Sequence, residues 1–178
     1  CMFAMASNRL LNAGLAVVLA AGVSGCSIKG MAVNAVANSL AAPSDVMTRD
    51  NDPELVRDAI PFGLKTYESL LESTPKHQPL LIATCSGYTS YAYGFVQTPA
   101  ELLQFTDRSA SRAGIDRAMN MYLRAKGYCM RALDARYPGL SAKLLADPDA
   151  ALAQTTTKDV ELLYWTAASW GSAMSLGK

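Results

Sequence analysis

The sequence predicts an all-α fold, for three reasons. The 178-residue chain is rich in Ala, Leu and Met, which favour helices, and has few β-branched runs of the kind that favour strands. In several segments the apolar residues recur at spacings of three and four, which is the period of an amphipathic helix. Signals that start and stop helices, such as Asp-Pro-Glu and Pro-Gly, bound those segments.

The first 25 residues have the pattern of a secretory signal peptide. Arg9 precedes a nearly uncharged apolar run from Leu10 to Gly25, which is shorter than the roughly 20 residues of a membrane-spanning helix. The run ends in Val23-Ser24-Gly25-Cys26, which has the small residues and the cysteine of a lipoprotein cleavage box. We expect cleavage before Cys26 and lipid attachment to its sulfur. An ordinary signal peptide with a chance cysteine, or an uncleaved N-terminal helix, remains an alternative.

Three segments follow from this pattern: a signal peptide at residues 1–25, a lipidated arm and linker at 26–51, and a helical domain at 52–178. Cleavage would remove one basic residue from the 16 in the chain and none of its 15 acidic residues, so the mature protein would have no net charge. Nothing in this balance indicates a nucleic-acid-binding protein. About 150 mature residues are enough for one domain with its own core.

One helix is predicted in the arm and one at the start of the domain. Within the arm, Met31 to Ala42 forms a helix of small residues. Asp52 then caps the first helix of the domain, with Pro53 in its first turn, where the missing N–H costs nothing. Pro61 interrupts the helical spacing that follows, so we expect a kink or a break there. A turn that contains Pro75 ends this helix.

The remaining elements are predicted from the same signals. A second helix runs from Leu80 to Val96 and forms a hairpin with the first. Thr98-Pro99-Ala100-Glu101 has the pattern of a capping box and starts a short segment through Phe105. A long helix from about Ser109 to Arg136 follows. The last predicted segments are Leu140 to Ala146, Asp147 to Ala153, and a final helix that opens at Thr156 to Asp159.

Two helix-ending turns of similar form suggest a repeat. Their prolines, Pro75 and Pro138, lie 63 residues apart, close to twice the period of about 34 that is typical of tetratricopeptide repeats. The predicted architecture is therefore an α-solenoid of stacked, tetratricopeptide-like helical hairpins with a concave binding side.

Aromatic residues on two helices are the candidates for a binding groove. Tyr88, Tyr91 and Phe95 fall along one face of the second helix, and Tyr164 and Trp165 lie on the last one. Such residues can stack on a ligand or contact a partner. Alternatively they form the core between helices, which is the interpretation that we favour for the three residues of the second helix.

A basic stripe is predicted on the long helix. Arg117, Arg124 and Arg131 recur every seven residues and therefore lie on one side of it. An acidic partner or an anionic solute could bind there. We favour a solvated face, in which Asp134 pairs with Arg131.

Two cysteines remain in the mature domain, Cys85 and Cys129. An oxidising compartment would permit a disulfide between them. Both lie in apolar helical contexts, where free cysteine acts as a small core residue, and we favour free thiols.

The sequence contains few motifs of the kinds that catalyse a reaction or bind a metal or a cofactor. His77, the only histidine, lies in a proline-bounded turn, and no cysteine or histidine spacing typical of a metal site occurs. No paired carboxylates stand in an apolar setting and no glycine-rich loop could bind a phosphate, so we predict neither an enzyme nor a cofactor.

Three stretches together resemble one known family: residues 52–62, residues 87–97, and residues 160–165 followed by Trp170-Gly171. The chain resembles the T-component (TatT) family of lipoproteins associated with tripartite ATP-independent periplasmic (TRAP) transporters, over residues 51–178. Only Cys26, the lipid site, is carried over as a family residue.

The resemblance implies a tetratricopeptide-like periplasmic lipoprotein without catalytic residues, with a homotrimer among its expected assemblies. It also implies cooperation with a periplasmic solute-binding protein and passage of a hydrophobic or organic-acid solute. Family members continue for further helices, and the sequence opens with Cys1 instead of methionine. We therefore expect a C-terminally incomplete chain whose true start is Met2 or Met5.

The expected function is that of a lipid-anchored scaffold in TRAP-type solute uptake, on the periplasmic face of the outer membrane. Ser27, where an aspartate would favour retention in the inner membrane, indicates that face. Two alternatives stay open: a helical-repeat lipoprotein of outer-membrane assembly, and a carrier of hydrophobic ligands that acts alone.

Overall fold

The computed structural model describes residues 30–42 and 44–177. It is 86% helical and contains no strand in those ranges, which confirms the all-α prediction. The chain forms two compact units, residues 1–36 and 37–178. Of the first unit, only the helical residues 30–36 are described, so the predicted signal peptide and Cys26 lie outside the described residues. Apart from the bounds of the first helix, the description below concerns the second unit.

Nine α-helices and three short helical turns make up the described chain. The helices are α1 (residues 30–41), α2 (Val46–Arg49), α3 (Pro53–Ser73), α4 (Gln78–Tyr91), α5 (Thr98–Leu102), α6 (Arg108–Arg136), α7 (Leu140–Ala146), α8 (Pro148–Leu152) and α9 (Val160–Leu176). A π-helical turn (Ala92–Gln97) joins α4 to α5, and two 3₁₀ turns (Leu103–Phe105 and Thr157–Asp159) precede α6 and α9.

The predicted helix starts agree with the structure at most positions. The Oδ1 atom of Asp52 accepts hydrogen bonds from the backbone N–H groups of Glu54 and Leu55, at 3.1 and 3.0 Å. Asp147 caps α8 through the N–H of Ala150. A capping box lies at Thr156 and Asp159, at the predicted start of the last helix.

One local prediction was wrong, and another was decided in part. Helix α3 continues through Pro61 over its 21 residues, so the chain does not break there, and the expected kink stays a prediction. Thr98 is the first residue of α5, as predicted, but it does not cap that helix, because the π-helical turn carries the backbone from α4 into α5 without interruption. Its hydroxyl donates to the carbonyl of Tyr93 at 2.9 Å and caps nothing.

Helices α4, α6 and α9 form the centre of the fold. Helix α6 packs against both of the others, and α4 also contacts α3. Neighbouring helices in the order α3, α4, α6, α9 run antiparallel, so α3 and α6 run parallel. The largest fully buried side chains include Leu80, Leu81, Tyr122 and Leu133, and each apolar side chain of this size contributes about 1.5–3 kcal/mol.

A disulfide joins α4 to α6 inside this core. Cys85 and Cys129 are both completely buried, and their Cα atoms lie 5.5 Å apart. The expectation of free thiols was wrong. Each cysteine does lie in an apolar setting, but the close antiparallel approach of the two helices brings the two sulfurs within bonding distance.

Loss of the disulfide should lower the free energy of unfolding. The bond closes a segment of 44 residues, for which the chain-entropy model gives about 4 kcal/mol. We expect the double variant Cys85→Ala/Cys129→Ala to unfold at a lower urea concentration than the wild type. Ser90→Ala, an exposed position on the same helix, is the control and should have no such effect. Peptide mapping that finds Cys85 and Cys129 as free thiols in the oxidised, unfolded wild type would contradict the bond.

Substitution by alanine at two glycines of α6 should change the free energy of unfolding in opposite directions. A Cβ at Gly114 would lie 2.5 Å from the Cβ of Ala100 in α5, whereas a Cβ at Gly127 would meet nothing within 4 Å. Gly114→Ala should therefore lower the free energy of unfolding by about 1–3 kcal/mol, because the added methyl group overpacks the contact. Gly127→Ala should raise the free energy of unfolding by up to about 1 kcal/mol, because alanine has the higher helix propensity. Urea denaturation measures both, and a gain in both variants would contradict the close approach of α5 to α6.

Candidate functional site

The basic stripe of α6 lies at the surface, as its spacing predicts, but its members have different surroundings. Arg117, Arg124 and Arg131 are all exposed. The Nε atom of Arg124 pairs with Oε1 of Glu68 in α3 at 2.9 Å. One Nη atom of Arg131 donates to the backbone carbonyl of Pro75 at 3.1 Å. Two of the three arginines therefore connect α6 to α3 and to the turn that follows it.

Asp134 does not pair with Arg131, so that prediction was wrong. Its two carboxylate oxygens accept hydrogen bonds from the backbone N–H and the hydroxyl of Ser141, at 2.9 and 2.6 Å. The turn between α6 and α7 brings Ser141 close to Asp134, and helical spacing alone does not reveal this.

Glu68 is at the centre of the contacts between α3 and α6. Its side chain is only 13% exposed. Besides the ion pair with Arg124, it accepts hydrogen bonds from Lys65 at 2.5 Å and from the Tyr128 hydroxyl at 2.8 Å. Burial opposes ionisation, but these hydrogen bonds, a further one from Tyr88 and the charge of Arg124 lower the pKa of Glu68 below its usual value. Glu68 is therefore a carboxylate at neutral pH.

Two tyrosines lie beneath the arginines. The rings of Tyr88 and Tyr128 are stacked nearly parallel, with centroids 6.2 Å apart. The guanidinium carbon of Arg124 lies 5.3 Å from the Tyr88 centroid, and that of Arg131 lies 5.3 Å from the Tyr128 centroid. Burial, followed by contact with Glu68, raises the pKa of both hydroxyls, so both tyrosines stay neutral.

The structure thus brings together Tyr88, one of the aromatic residues predicted for a binding groove, and two arginines of the predicted basic stripe, Arg124 and Arg131. Glu68 and Tyr128 complete the cluster, and sequence reasoning missed both. Tyr128 could have been found from its position, one turn from each of the two arginines on α6. Glu68 is one polar residue among the apolar positions of α3, and its sequence position does not show which helix it faces.

Two adjoining clefts open beside this cluster. The first, of about 470 Å³, lies between α3 and α6 and is lined by Lys65, Glu68, Leu71, Glu72, Pro75, Arg124, Tyr128 and Arg131. The second, of about 450 Å³, is lined by Pro75, Lys76, Arg131, Asp134, Ala135, Pro138 and Gly139. The two clefts share Pro75 and Arg131, so Arg131 stands at their junction.

The other predicted aromatic residues lie elsewhere. Tyr91 is buried, Phe95 is half-buried, and their ring centroids are 5.5 Å apart. These two rings and the buried Tyr88 belong to the core in this conformation. On α9, Tyr164 is 61% exposed and makes an edge contact with the half-buried Trp165, with centroids 5.0 Å apart.

His77 and Asp159 both hold the fold together. His77 caps α4, since its Nδ1 accepts from the N–H of Leu80, and its other ring nitrogen lies 3.0 Å from Oδ1 of Asn38. Asp159 is 1% exposed, and it accepts from the Tyr137 hydroxyl and from the N–H of Thr156, both at 2.8 Å. Arg136 forms an ion pair with its second oxygen. Asp159 thereby connects the start of α9 to the end of α6.

Within the described ranges, no group of three or more His, Cys, Asp or Glu side chains is arranged to hold a metal ion. No helix in that same part of the chain has the length and apolarity needed to cross a membrane.

A family model described as TRAP transporter T-component matches residues 49–178. The chain belongs to this family. That description names a transporter component rather than an enzyme, and it suggests a periplasmic location. An uncharacterized protein of Treponema pallidum (strain Nichols) is 31% identical over 170 residues, with 85% of this chain and 53% of that protein covered. This T-component chain therefore spans about half the length of the curated relative that it matches.

Asp159 should make the stability of this T-component depend on pH. Burial opposes its ionisation, but hydrogen bonds from Thr156 and Tyr137 and the charge of Arg136 lower its pKa when folded. A carboxyl group whose pKa is lower in the folded than in the unfolded state stabilises the fold fully at any pH above its unfolded pKa. This stabilisation is lost as the pH falls through the pKa of the folded state. Glu68 acts in the same direction. The urea midpoint should therefore fall as the pH drops from about 5 to below the usual carboxyl range, near 4.

Asp159→Asn should lower the free energy of unfolding at pH 7 by about 1–3 kcal/mol, because Arg136 loses its counterion and a charged hydrogen bond is weakened. It should also flatten the pH dependence. Asp116→Asn, at an exposed position of α6, is the control. An acid response in Asp159→Asn as steep as that of the wild type would show that Asp159 does not contribute to it.

Proposed function

We propose that the chain is a lipid-anchored periplasmic accessory protein of a TRAP-type solute uptake system and that it binds the periplasmic solute-binding protein of that system. The observation that carries this proposal is the family match over residues 49–178. The T-component description supports association with a TRAP transporter, and the lipid anchor and the partner are our own additions to it.

Two features support export and lipid attachment. The disulfide between Cys85 and Cys129 is of a kind that persists in oxidising compartments such as the bacterial periplasm. The sequence before Cys26 has the form of a signal peptide with a lipoprotein cleavage box. We propose that residues 1–25 are removed, that residues 26–51 form the lipidated arm, and that residues 52–178 form the helical domain.

The packing of the helices supports a stack of the tetratricopeptide-like type. Helices α3, α4, α6 and α9 pack in succession as antiparallel neighbours, as helices do in arrays of this type. Val160, Tyr164 and Met174 leave an exposed apolar side on α9, which is the kind of face that an adjacent helix or subunit covers. We propose that the stack, including a homotrimeric form, presents its surface to the solute-binding protein.

Of the predicted aromatic residues, Tyr164 with Trp165 is the pair best placed for contact with a partner or an apolar ligand. Tyr164 is exposed, whereas Tyr88, Tyr91 and Phe95 are wholly or partly covered by neighbouring helices. The three core rings would affect binding only through the packing of those helices.

Lipid attachment is tested by metabolic labelling in a Gram-negative host. We expect radiolabelled palmitate to enter the wild-type protein and not the variant Cys26→Ala, because the thioether requires the sulfur. Ser27→Ala, at the adjacent position, should still be labelled. Equal labelling of Cys26→Ala would contradict the assignment of the lipid site.

Partner binding is tested by calorimetry and cross-linking with the solute-binding protein encoded beside this chain. We expect saturable association of the two purified proteins, weakened by Tyr164→Ala and unchanged by Leu145→Ala, an exposed apolar residue on α7. No association by either method would contradict the proposal. Copurification with an outer-membrane barrel protein would favour the assembly alternative, and a lipid bound to the isolated monomer would favour the carrier.

A further inference from the structure

We propose that residues 37–41 form a strap that makes the α3–α4 turn the membrane-facing end of the helical domain. The partner of this end is the surface of a phospholipid bilayer, and the corner between α5 and α6 is turned away from it. This proposal rests on the lipid attachment proposed above for Cys26, and it adds which end of the domain the anchor holds near the lipid.

The strap is docked onto the domain near the end of α3 and the start of α4. Ala37 is completely buried. The side-chain oxygen of Asn38 lies 3.0 Å from Nε2 of His77, the residue that precedes α4. The backbone carbonyl of Leu40 accepts a hydrogen bond from the hydroxyl of Tyr67 in α3, also at 3.0 Å. One buried side chain and two polar contacts therefore fix the strap to these two helices.

These contacts show from which side the chain reaches the domain. Asn38 lies beside His77, in the turn itself. Leu40, two residues later, lies beside Tyr67, which is six residues before the end of α3 at Ser73. From residue 38 to residue 40 the chain therefore runs away from the α3–α4 turn, so it enters the domain from the turn side.

The chain between Cys26 and the strap limits how far the turn can stand from the lipid. Ala37 is 11 residues after Cys26. Residues 30–36 are helical, with a rise of about 1.5 Å per residue, and the four residues before them span at most about 14 Å. In any orientation of these residues, the Cα atom of Ala37 is therefore within about 25 Å of the Cα atom of Cys26.

The corner between α5 and α6 is the competing candidate for contact with lipid. Leu102 is 75% exposed there and Phe105 is 88% exposed, and apolar side chains of this kind can enter a membrane interface. Helix α6 is about 35 Å long between Arg108, beside this corner, and Arg131, which contacts the turn at Pro75. With the corner inserted and α6 upright, the turn would stand farther from the lipid than the chain can reach. The strap therefore favours the turn over the corner.

The test measures energy transfer from a fluorescent label at each end of the domain to a rhodamine-labelled lipid. The full chain, lipidated in a Gram-negative host, is reconstituted into vesicles of equal amounts of phosphatidylethanolamine and phosphatidylglycerol. The donor is attached in the variant Lys76→Cys, at the turn, or in the variant Gln104→Cys, at the corner, since both positions are exposed. The buried disulfide between Cys85 and Cys129 leaves no thiol of the described domain for the label.

We expect transfer at least about twofold more efficient from Lys76→Cys than from Gln104→Cys, because α6 separates the two ends by about 35 Å. The difference should shrink when Ala37→Glu is added, since this substitution puts bulk and charge at a completely buried position and undocks the strap. Ala42→Glu, with the same change in charge at an exposed position just after α1, is the matched control and should keep the difference.

A second variant removes the polar contacts alone. Asn38→Ala combined with Tyr67→Phe eliminates both hydrogen bonds of the strap and should reduce the difference to a smaller extent than Ala37→Glu does. Thermal unfolding of each variant checks that the helical domain keeps its fold, and the comparison of the two labels in the otherwise unchanged chain needs neither variant.

Equal transfer from the two labels, or stronger transfer from the corner, would overturn the proposal. So would a difference that is unchanged in both Ala37→Glu and the double variant. Incorporation of palmitate, measured on the same preparations, separates the two levels of the argument. Its absence would contradict lipid attachment itself and the strap with it, whereas equal transfer from a palmitate-labelled protein would overturn the strap alone.

Discussion

The close antiparallel packing of α4 against α6 is the contact on which the other parts of the structure depend. Fully buried side chains from both helices, among them Leu81 and Tyr122, remove apolar surface from water, and the bond between Cys85 and Cys129 holds the two helices covalently. Helix α3 is then placed on one side of α4, and α9 is placed against both helices. The cluster and the clefts lie along the flank of this arrangement, where α3 and α6 run parallel.

At two places in the fold, a buried carboxylate is stabilised by the same kinds of contact. Glu68 and Asp159 are both carboxylates largely removed from water, and each is surrounded by an arginine and by hydroxyl or backbone donors. Loss of Arg136 would leave Asp159 as a buried charge without its counterion, which is costly, and these contacts therefore specify how the helices meet. Glu68 fixes α3 against α6, and Asp159 fixes the start of α9 against the end of α6. Arg131 differs, because a backbone carbonyl and an aromatic ring hold its guanidinium in place.

Local physics made much of the helical structure predictable. Asp52, Asp147 and Thr156 each place a side-chain oxygen where the first N–H groups need an acceptor. The two aspartates cap α3 and α8, and Thr156 caps the 3₁₀ turn that leads into α9. The seven-residue spacing of Arg117, Arg124 and Arg131 placed them on one exposed side of α6. The local rules failed at Thr98, because the backbone enters α5 directly from the π-helical turn and the Thr98 side chain does not cap the helix.

The sequence by itself determined the helical class, the main helix boundaries and the family resemblance, because these depend on composition, capping and spacing along one chain. Only the tertiary structure decided that Cys85 meets Cys129, that Asp134 turns to Ser141, and that Glu68 and Tyr128 join the arginines beside a cleft. Each of these contacts depends on how closely and in which direction two separate helices approach. A periodic pattern indicates which face of a helix is apolar. It does not indicate which helix that face packs against, or which residues of the two helices come into contact.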